Sequence, residues 1–245
     1  MRNIKIVIEY EGTHYHGWQR QSDDITIEGV LEEKLGIITG GKVTLIGSGR
    51  TDAGVHALNQ VANFKTHSGI GEPNLLRAIN SMIPCDIVVK SLVEVDETFH
   101  ARYDVKRKAY IYKILNRPIR SALYNNYSWH IYGELDIDAM RKAALTLKGR
   151  HDFSSFCAVN SDTLNYVRTI IDVDFTVSES GMIIFSIEAD GFLRYMVRNI
   201  LGTLVDVGRG KIDSNLFAGI FNAKDRTKAA ITAPPQGLFL RDVFY

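Results

Sequence analysis

The spacing of hydrophobic residues divides the first hundred residues into short strands and two amphipathic helices. Strands are predicted where β-branched and aromatic residues alternate with polar ones, and helices where apolar residues recur every three to four positions. Thr26 is a favourable helix N-cap, and Pro73 suits a first helical turn. The predicted elements, in order, are a strand at 3–10, a helix from Thr26 to Gly40, strands at 43–46 and 60–64, a helix at 73–82 and a strand at 86–95. The order β-α-β-β-α-β is that of the ferredoxin-like fold.

The second half of the chain repeats this pattern with longer insertions. Its predicted elements are strands at 105–115 and 127–132, a helix capped by Asp136 and closed by Gly149, strands at 169–177 and 182–189, an apolar helix at 192–207, a polar helical segment at 214–222 and a strand at 238–245. We therefore predict an α+β protein of two ferredoxin-like halves with antiparallel sheets. The N-terminal half is residues 1–100 and the C-terminal half is residues 101–245.

The composition is that of an ordinary globular protein. The 245 residues are 45% hydrophobic and 23% charged. No apolar run approaches the ~20 residues that cross a bilayer, and the chain begins in a predicted strand, so we expect a cytoplasmic protein. Cys85 and Cys157 have neither a disulfide pattern nor a zinc spacing, and we expect both to be small buried hydrophobic residues.

The charge balance alone says little about a partner. The chain has 29 Lys plus Arg and 28 Asp plus Glu, a net charge of +1, whereas nucleic-acid-binding domains often carry a larger basic excess. Residues 102–120 nevertheless contain seven basic side chains interleaved with Tyr103, Tyr110 and Tyr112. Such a segment suits phosphates and exposed bases, but it is equally typical of a strand edge decorated with lysine and arginine.

The segment Gly47–Gly54 is the strongest candidate for chemistry. It lies between two predicted strands and contains three glycines, Arg50 and Asp52. Glycines let a ligand approach the backbone, and a nearby cation keeps a carboxylate ionised. A dinucleotide-binding loop is disfavoured, because Asp52 occupies the position of the third glycine. A plain hairpin turn, with Asp52 capping its own backbone, remains an alternative from the pattern alone.

Several motifs resemble, in the same order along the chain, those of the tRNA pseudouridine synthase A family. The resemblance runs from about residue 4 to the C-terminus. The matching motifs are Tyr15-His16-Gly17-Trp18-Gln19-Arg20-Gln21, Gly49-Arg50-Thr51-Asp52-Ala53-Gly54-Val55-His56, Phe99-His100-Ala101-Arg102, Tyr110-Ile111-Tyr112, Asp152-Phe153-Ser154-Ser155-Phe156, Met196-Val197-Arg198-Asn199-Ile200, Lys224-Asp225-Arg226-Thr227 and Gly237-Leu238-Phe239-Leu240.

The resemblance implies an isomerase that converts uridine to pseudouridine at positions 38, 39 and 40 of the tRNA anticodon stem-loop. It implies a homodimer. Within each chain, the two ferredoxin-like halves form a central cleft, with the catalytic loop at the base of that cleft. The reaction uses no redox step or group donor, so we expect no cofactor and no metal. The rival interpretation is a non-catalytic RNA-binding module with ferredoxin-like domains, but no RNP1 pattern is evident in the sequence.

The resemblance also assigns roles to individual residues. Asp52 matches the catalytic aspartate, and either nucleophilic attack or removal of the C2′ proton would use its ionised form. Tyr110 matches the active-site tyrosine that stacks on uracil, with Tyr112 the alternative on the same strand face. We expect Arg50 to be exposed and to meet phosphate or the flipped nucleotide. Arg198 lies with Arg194 at the border of an apolar helix, and we propose that Arg198 pairs with Asp52.

Overall fold

A computed structural model describes residues 1–159, 161 and 163–245 and confirms the predicted α+β class. The strands are β1 (Arg2–Tyr10), β2 (Ile46–Gly47), β3 (His56–Thr66), β4 (Ile87–Val95), β5 (Arg107–Asn116), β6 (Trp129–Ile131), β7 (Gly149–Asp152), β8 (Val167–Val177), β9 (Met182–Ala189) and β10 (Leu238–Phe244). The helices are α1 (Ile27–Thr39), α2 (Glu72–Met82), α3 (Ile137–Leu145), α4 (Met196–Gly208) and α5 (Ser214–Asn222). The chain divides into two compact units.

The first unit comprises residues 1–106 and 239–245. Its strands lie in the order β4, β1, β3, β10, with β2 paired to β3. β1 is antiparallel to both β3 and β4, whereas β10 runs parallel to β3 with Phe239 opposite His56. The elements up to β4 follow the predicted β-α-β-β-α-β order, and the C-terminal strand is added beside β3.

The helices of the first unit begin where their local chemistry predicts. The Thr26 hydroxyl accepts a hydrogen bond from the Gly29 N–H, and Gly40 ends α1 in the left-handed conformation at φ 73°. Pro73 lies in the first turn of α2. α2 packs against α1 and β4, so that these helices cover apolar residues of the sheet.

The second unit comprises residues 107–238. Its strands lie in the order β5, β9, β8, β7, and β6 pairs with β5. α3, capped by Asp136, packs against β8, α4 and α5. Its main elements follow the order β-α-β-β-α, with β6 before α3 and β7 after it. α4 is the most buried helix of the unit, with Ile200, Leu201 and Leu204 fully buried.

Several predicted boundaries were wrong. α4 begins at Met196 rather than at residue 192, because Tyr195 takes up a left-handed conformation with φ 63°. Arg194 therefore precedes the helix, so it does not lie one helical turn before Arg198 on the same helix. α3 ends at Leu145, and Gly149 instead begins β7, a short polar strand that has no hydrophobic alternation.

Two other predictions also need correction. The strand expected at residues 43–46 is only Ile46–Gly47, because Val43 and Leu45 are buried without pairing in the sheet. Cys157 is buried as expected, but Cys85 is exposed. Among the helices in the described parts of the chain, none combines the length and hydropathy of a membrane-crossing segment.

Candidate active site

The Asp52 segment forms a fixed loop between β2 and β3. The Ser48 hydroxyl donates to the Gln60 side-chain oxygen at 2.6 Å, and the Gln60 amide donates to the Gly49 carbonyl at 3.0 Å. Ser48 and Gln60 are buried, so these bonds anchor the start of the loop on β3. Arg50 is exposed and Asp52 is half-buried. The loop therefore presents a cation and a carboxylate at its surface from a rigid base.

A second loop, residues 12–18, lies along the Asp52 loop and holds it on one side. The Trp18 N–H donates to the Thr51 carbonyl at 3.2 Å, and the Gly54 N–H donates to the Tyr15 carbonyl at 3.3 Å. Gly17 permits this close approach, because a Cβ at this position would lie 2.4 Å from the Thr51 carbonyl oxygen. We call residues 12–18 the strap. It fixes the backbone on both sides of Asp52.

The side chain beside Asp52 is also fixed from within the sheet. The hydroxyl groups of Tyr10 and Thr51 are 2.7 Å apart, and both residues are buried. Burial raises the pKa of Tyr10 above its ordinary value, so its hydroxyl stays protonated over the physiological range. Because Thr51 immediately precedes Asp52, this hydrogen bond constrains the orientation of the Asp52 side chain.

Helix α1 holds the two residues that follow the strap through a buried carboxylate. Glu28 is 4% exposed, and its carboxylate accepts from the Gln19 amide at 2.6 Å and from the Arg20 N–H at 2.8 Å. Desolvation raises the pKa of Glu28, while these donors favour its ionised form. Glu32, one turn later, accepts from the Arg20 guanidinium at 2.9 Å. The Glu28 N–H also donates to the Trp18 carbonyl at 3.0 Å, so the strap is attached to a helix as well as to the loop.

In the second unit, β5 carries the two candidate tyrosines on one face. Tyr110 is 8% exposed and meets Phe192 edge-on, with ring centroids 5.0 Å apart. Tyr112 is fully buried, and its hydroxyl donates to the Pro234 carbonyl at 2.7 Å. Desolvation raises the pKa of Tyr112, and the positive charge of Arg198 only partly opposes this. The Tyr112 hydroxyl therefore has a structural partner within its own unit.

Arg198 lies in the first turn of α4 and is half-buried. Its Nε donates to the Ala233 carbonyl at 2.8 Å, and its guanidinium lies 4.9 Å from the centroid of the Tyr195 ring. These contacts orient the guanidinium within the second unit. An oriented, partly desolvated guanidinium is suited to binding an anion with two parallel hydrogen bonds.

The structure thus brings Arg50 and Asp52 together on one loop, and it places Tyr110 and Arg198 in the second unit. Sequence reasoning did not identify Tyr10, Thr51 or Glu28 as supporting residues. The signal for Glu28 was present, because a polar loop ending in Gln19-Arg20 precedes a helix with an acidic first turn. Within the residues that the structure describes, no three His, Cys, Asp or Glu side chains group as metal ligands.

Comparison with known proteins identifies the relatives of this chain. The family described as tRNA pseudouridine synthase matches residues 6–104 and 143–245. The chain is 51% identical to tRNA pseudouridine synthase A of Thermoanaerobacter sp. (strain X514), and both sequences are covered completely. The corresponding protein of Acetivibrio thermocellus is 47% identical, and tRNA pseudouridine synthase A 2 of Clostridium perfringens is 46% identical, again over 100% of each sequence. The chain belongs to the tRNA pseudouridine synthase family.

The family match includes most of the candidate site. The segments shared with the tRNA pseudouridine synthase family contain the strap, the Asp52 loop and Arg198. They leave out residues 105–142, which include β5 and Tyr110, but the full-length relatives extend across this stretch. The Asp52 loop, which is fixed in the structure, therefore lies within a segment that matches the family.

Proposed function

We propose that the protein converts uridine to pseudouridine in tRNA, at positions 38, 39 and 40 of the anticodon stem-loop. The observation that carries this proposal is the half-buried Asp52, presented by a loop that the strap, Tyr10 and Gln60 hold in place. Membership of the tRNA pseudouridine synthase family supports it. The alternative of a non-catalytic RNA-binding module gives no role to a carboxylate on a loop that the strap, Tyr10 and Gln60 hold in place.

The proposed reaction is an isomerisation that needs an ionised carboxylate. The N1–C1′ bond of the uridine breaks, the uracil turns, C5 bonds to C1′, the C5 proton leaves and N1 gains a proton. Asp52 acts in its ionised form, either by attack on the sugar or by removal of the C2′ proton. No electron is gained or lost overall, so these steps require no redox cofactor.

The other three candidate residues serve the same nucleotide. Tyr110 stacks on the uracil, and its hydroxyl takes part in the transfer of the C5 proton. The exposed Arg50 meets a phosphate or the flipped nucleotide. Arg198, whose guanidinium is already oriented by Ala233 and Tyr195, stabilises the charged form of Asp52.

The substrate must leave its stack before the reaction. Extruding a nucleotide from a paired stem costs on the order of a few kcal/mol, which stacking on an aromatic ring and phosphate contacts offset. Action at neighbouring positions suits recognition of RNA shape more than of base sequence. We further propose that the protein works in the cytoplasm as a homodimer. Sedimentation equilibrium of the purified protein tests its oligomeric state.

A cofactor-free assay tests the proposed function. Unmodified tRNA transcripts with uridine at one of positions 38, 39 and 40 are incubated with the protein and digested to nucleosides. We expect pseudouridine with the wild type and none with Asp52→Asn, while Asp23→Asn, at an exposed aspartate, retains activity. Tight binding of tRNA without product would instead support the RNA-binding module. Product from transcripts that have uridine only outside the stem-loop would contradict the proposed positions.

A further inference from the structure

The residue that begins helix α4 has an unusual backbone conformation. Tyr195 has φ 63° and ψ 3°, and of the residues described only Tyr195 and Lys224 are non-glycine residues with positive φ. A side chain with a Cβ is strained in this region, and such strain persists where other contacts hold the residue in place. Glycine or asparagine would make the same turn with less strain. The tyrosine ring therefore has a role that the turn itself does not require.

The ring does not act as a helix cap. Tyr195 makes no side-chain capping hydrogen bond, and its side chain is only half-buried, so neither capping nor core packing explains the choice of residue. Its ring centroid instead lies 5.1 Å from the guanidinium carbon of Arg194 and 4.9 Å from that of Arg198. Both distances fall within the range in which a ring face attracts a cation.

Arg198 is held on a second side by buried backbone. Its Nε donates to the Ala233 carbonyl at 2.8 Å, and the Ala233 N–H donates to the Arg198 carbonyl at 3.1 Å. Ala233 is fully buried, so this acceptor is rigid. The Nε–H bond fixes one edge of the planar guanidinium, and the Tyr195 ring restricts rotation about that edge. With both contacts, the outer edge formed by Nη1 and Nη2 has one orientation.

We propose that Tyr195 is a positioning residue for the reaction, which holds the Arg198 guanidinium in the orientation that it uses during catalysis. This inference rests on the proposed role of Arg198. The left-handed conformation is what brings the Tyr195 ring beside a guanidinium one turn further along the helix. The strain at Tyr195 thus maintains the geometry of a charged group.

The left-handed conformation of Tyr195 allows a variant that removes the ring without disturbing the fold. Tyr195→Asn removes the ring and suits a left-handed residue, so its melting temperature is expected to equal or exceed that of the wild type. We expect its kcat to fall about tenfold, since small displacements of catalytic groups have effects of this size or larger, with KM for tRNA changed less than about twofold. Tyr195→Phe keeps the ring and retains kcat within about twofold. Arg194→Ala removes the other, exposed partner of the ring and also retains kcat.

A double-mutant cycle completes the test, with release of tritium from C5-labelled uridine in tRNA under single-turnover conditions as the readout. In the Arg198→Ala background, adding Tyr195→Asn should lower the rate no further, because the group that the ring positions is gone. An equal loss in both backgrounds, or full activity of Tyr195→Asn, would overturn the inference. Full activity of Arg198→Ala would overturn it as well. Wild type and Asp52→Asn, measured in the same assay, report separately on the proposed function.

Discussion

At the scale of single residues, the two tyrosines of β5 differ in what their hydroxyl groups do. The Tyr112 hydroxyl is buried and donates to the Pro234 carbonyl, and Gly237 faces its ring so closely that an added Cβ would lie 2.4 Å away. Tyr112 is thereby built into the core of the second unit. Tyr110, two residues earlier on the same face, is in edge contact with Phe192 and has the greater access to solvent. This contrast favours Tyr110 as the tyrosine that meets the substrate.

The first prediction separates the ring of Tyr110 from its hydroxyl. Tyr110→Phe keeps the stacking surface, so the Kd for tRNA should change less than about twofold, while kcat falls about a hundredfold if the hydroxyl transfers a proton. Tyr112→Phe is the matched control and should lower stability by about 1 kcal/mol with little loss of turnover. Filter binding and single-turnover rates measure the two effects. A parallel loss of affinity and rate in Tyr110→Phe would show that its hydroxyl binds rather than reacts.

The second prediction concerns the charge that Arg198 supplies. A nearby cation favours the ionised form of a carboxylate, so Arg198→Ala should make the reacting carboxylate harder to ionise. Activity that requires this ionised form is then lost at a higher pH. The acid limb of the kcat profile should move upward by about one pH unit. Arg141→Ala, which removes a surface arginine paired with Asp138 and Asp174, should leave the limb in place. An unmoved limb in Arg198→Ala would remove this role from Arg198.

At the scale of elements, capping residues located two helix starts, whereas the hydrophobic pattern misplaced a third. Thr26 and Asp136 cap helices as expected, because a side-chain acceptor before an apolar helical stripe commonly accepts a backbone N–H of the first turn. The start of α4 was misplaced because the hydrophobic pattern continues through Phe192 and Leu193, while the turn depends on a strained tyrosine. β7 was missed because its pairing with β8 comes from the tertiary fold and not from alternating residues.

The same limit applies to the strap. Sequence comparison could mark its residues as part of a motif, but hydrogen bonds between two distant loops are not encoded in local propensity. A substitution in the strap tests whether this packing matters for the reaction. Gly17 is the sharpest position, because it combines φ 86° with the close approach to the Thr51 carbonyl.

The third prediction is that Gly17→Ala both destabilises the protein and slows the reaction. The left-handed conformation and the backbone clash should lower the free energy of unfolding by about 2 kcal/mol. Because Thr51 precedes Asp52, kcat should also fall at temperatures where the variant remains folded. Gly69→Ala is the control, since a Cβ at Gly69 meets nothing within 4 Å. Urea denaturation and turnover measure the effects, and a variant with reduced stability but unchanged kcat would separate the strap from catalysis.

At the scale of the whole molecule, the order of the elements could be predicted from the sequence. The unit that the last strand joins could not. Residues 101–245 were predicted to form one half, whereas the structure places residues 239–245 with the first unit. Phe239 stacks on His56 with ring centroids 4.6 Å apart, and the Tyr245 hydroxyl donates to the Ala101 carbonyl at 2.7 Å. A short apolar strand at the end of a chain has the same local pattern whichever sheet it joins, so only the tertiary contacts decide its place.

The fourth prediction uses the two tryptophans of the chain, Trp18 in the first unit and Trp129 in the second. Phe239→Ala removes a buried aromatic side chain, which typically costs about 3 kcal/mol or more. Because Phe239 packs within the first unit, the fluorescence midpoint of Trp18 in urea should fall more than that of Trp129. Each midpoint is measured with the other tryptophan replaced by phenylalanine. Leu123→Ala, at a side chain 82% exposed, should move neither midpoint. Equal shifts, or a larger shift at Trp129, would contradict the assignment of the C-terminal strand to the first unit.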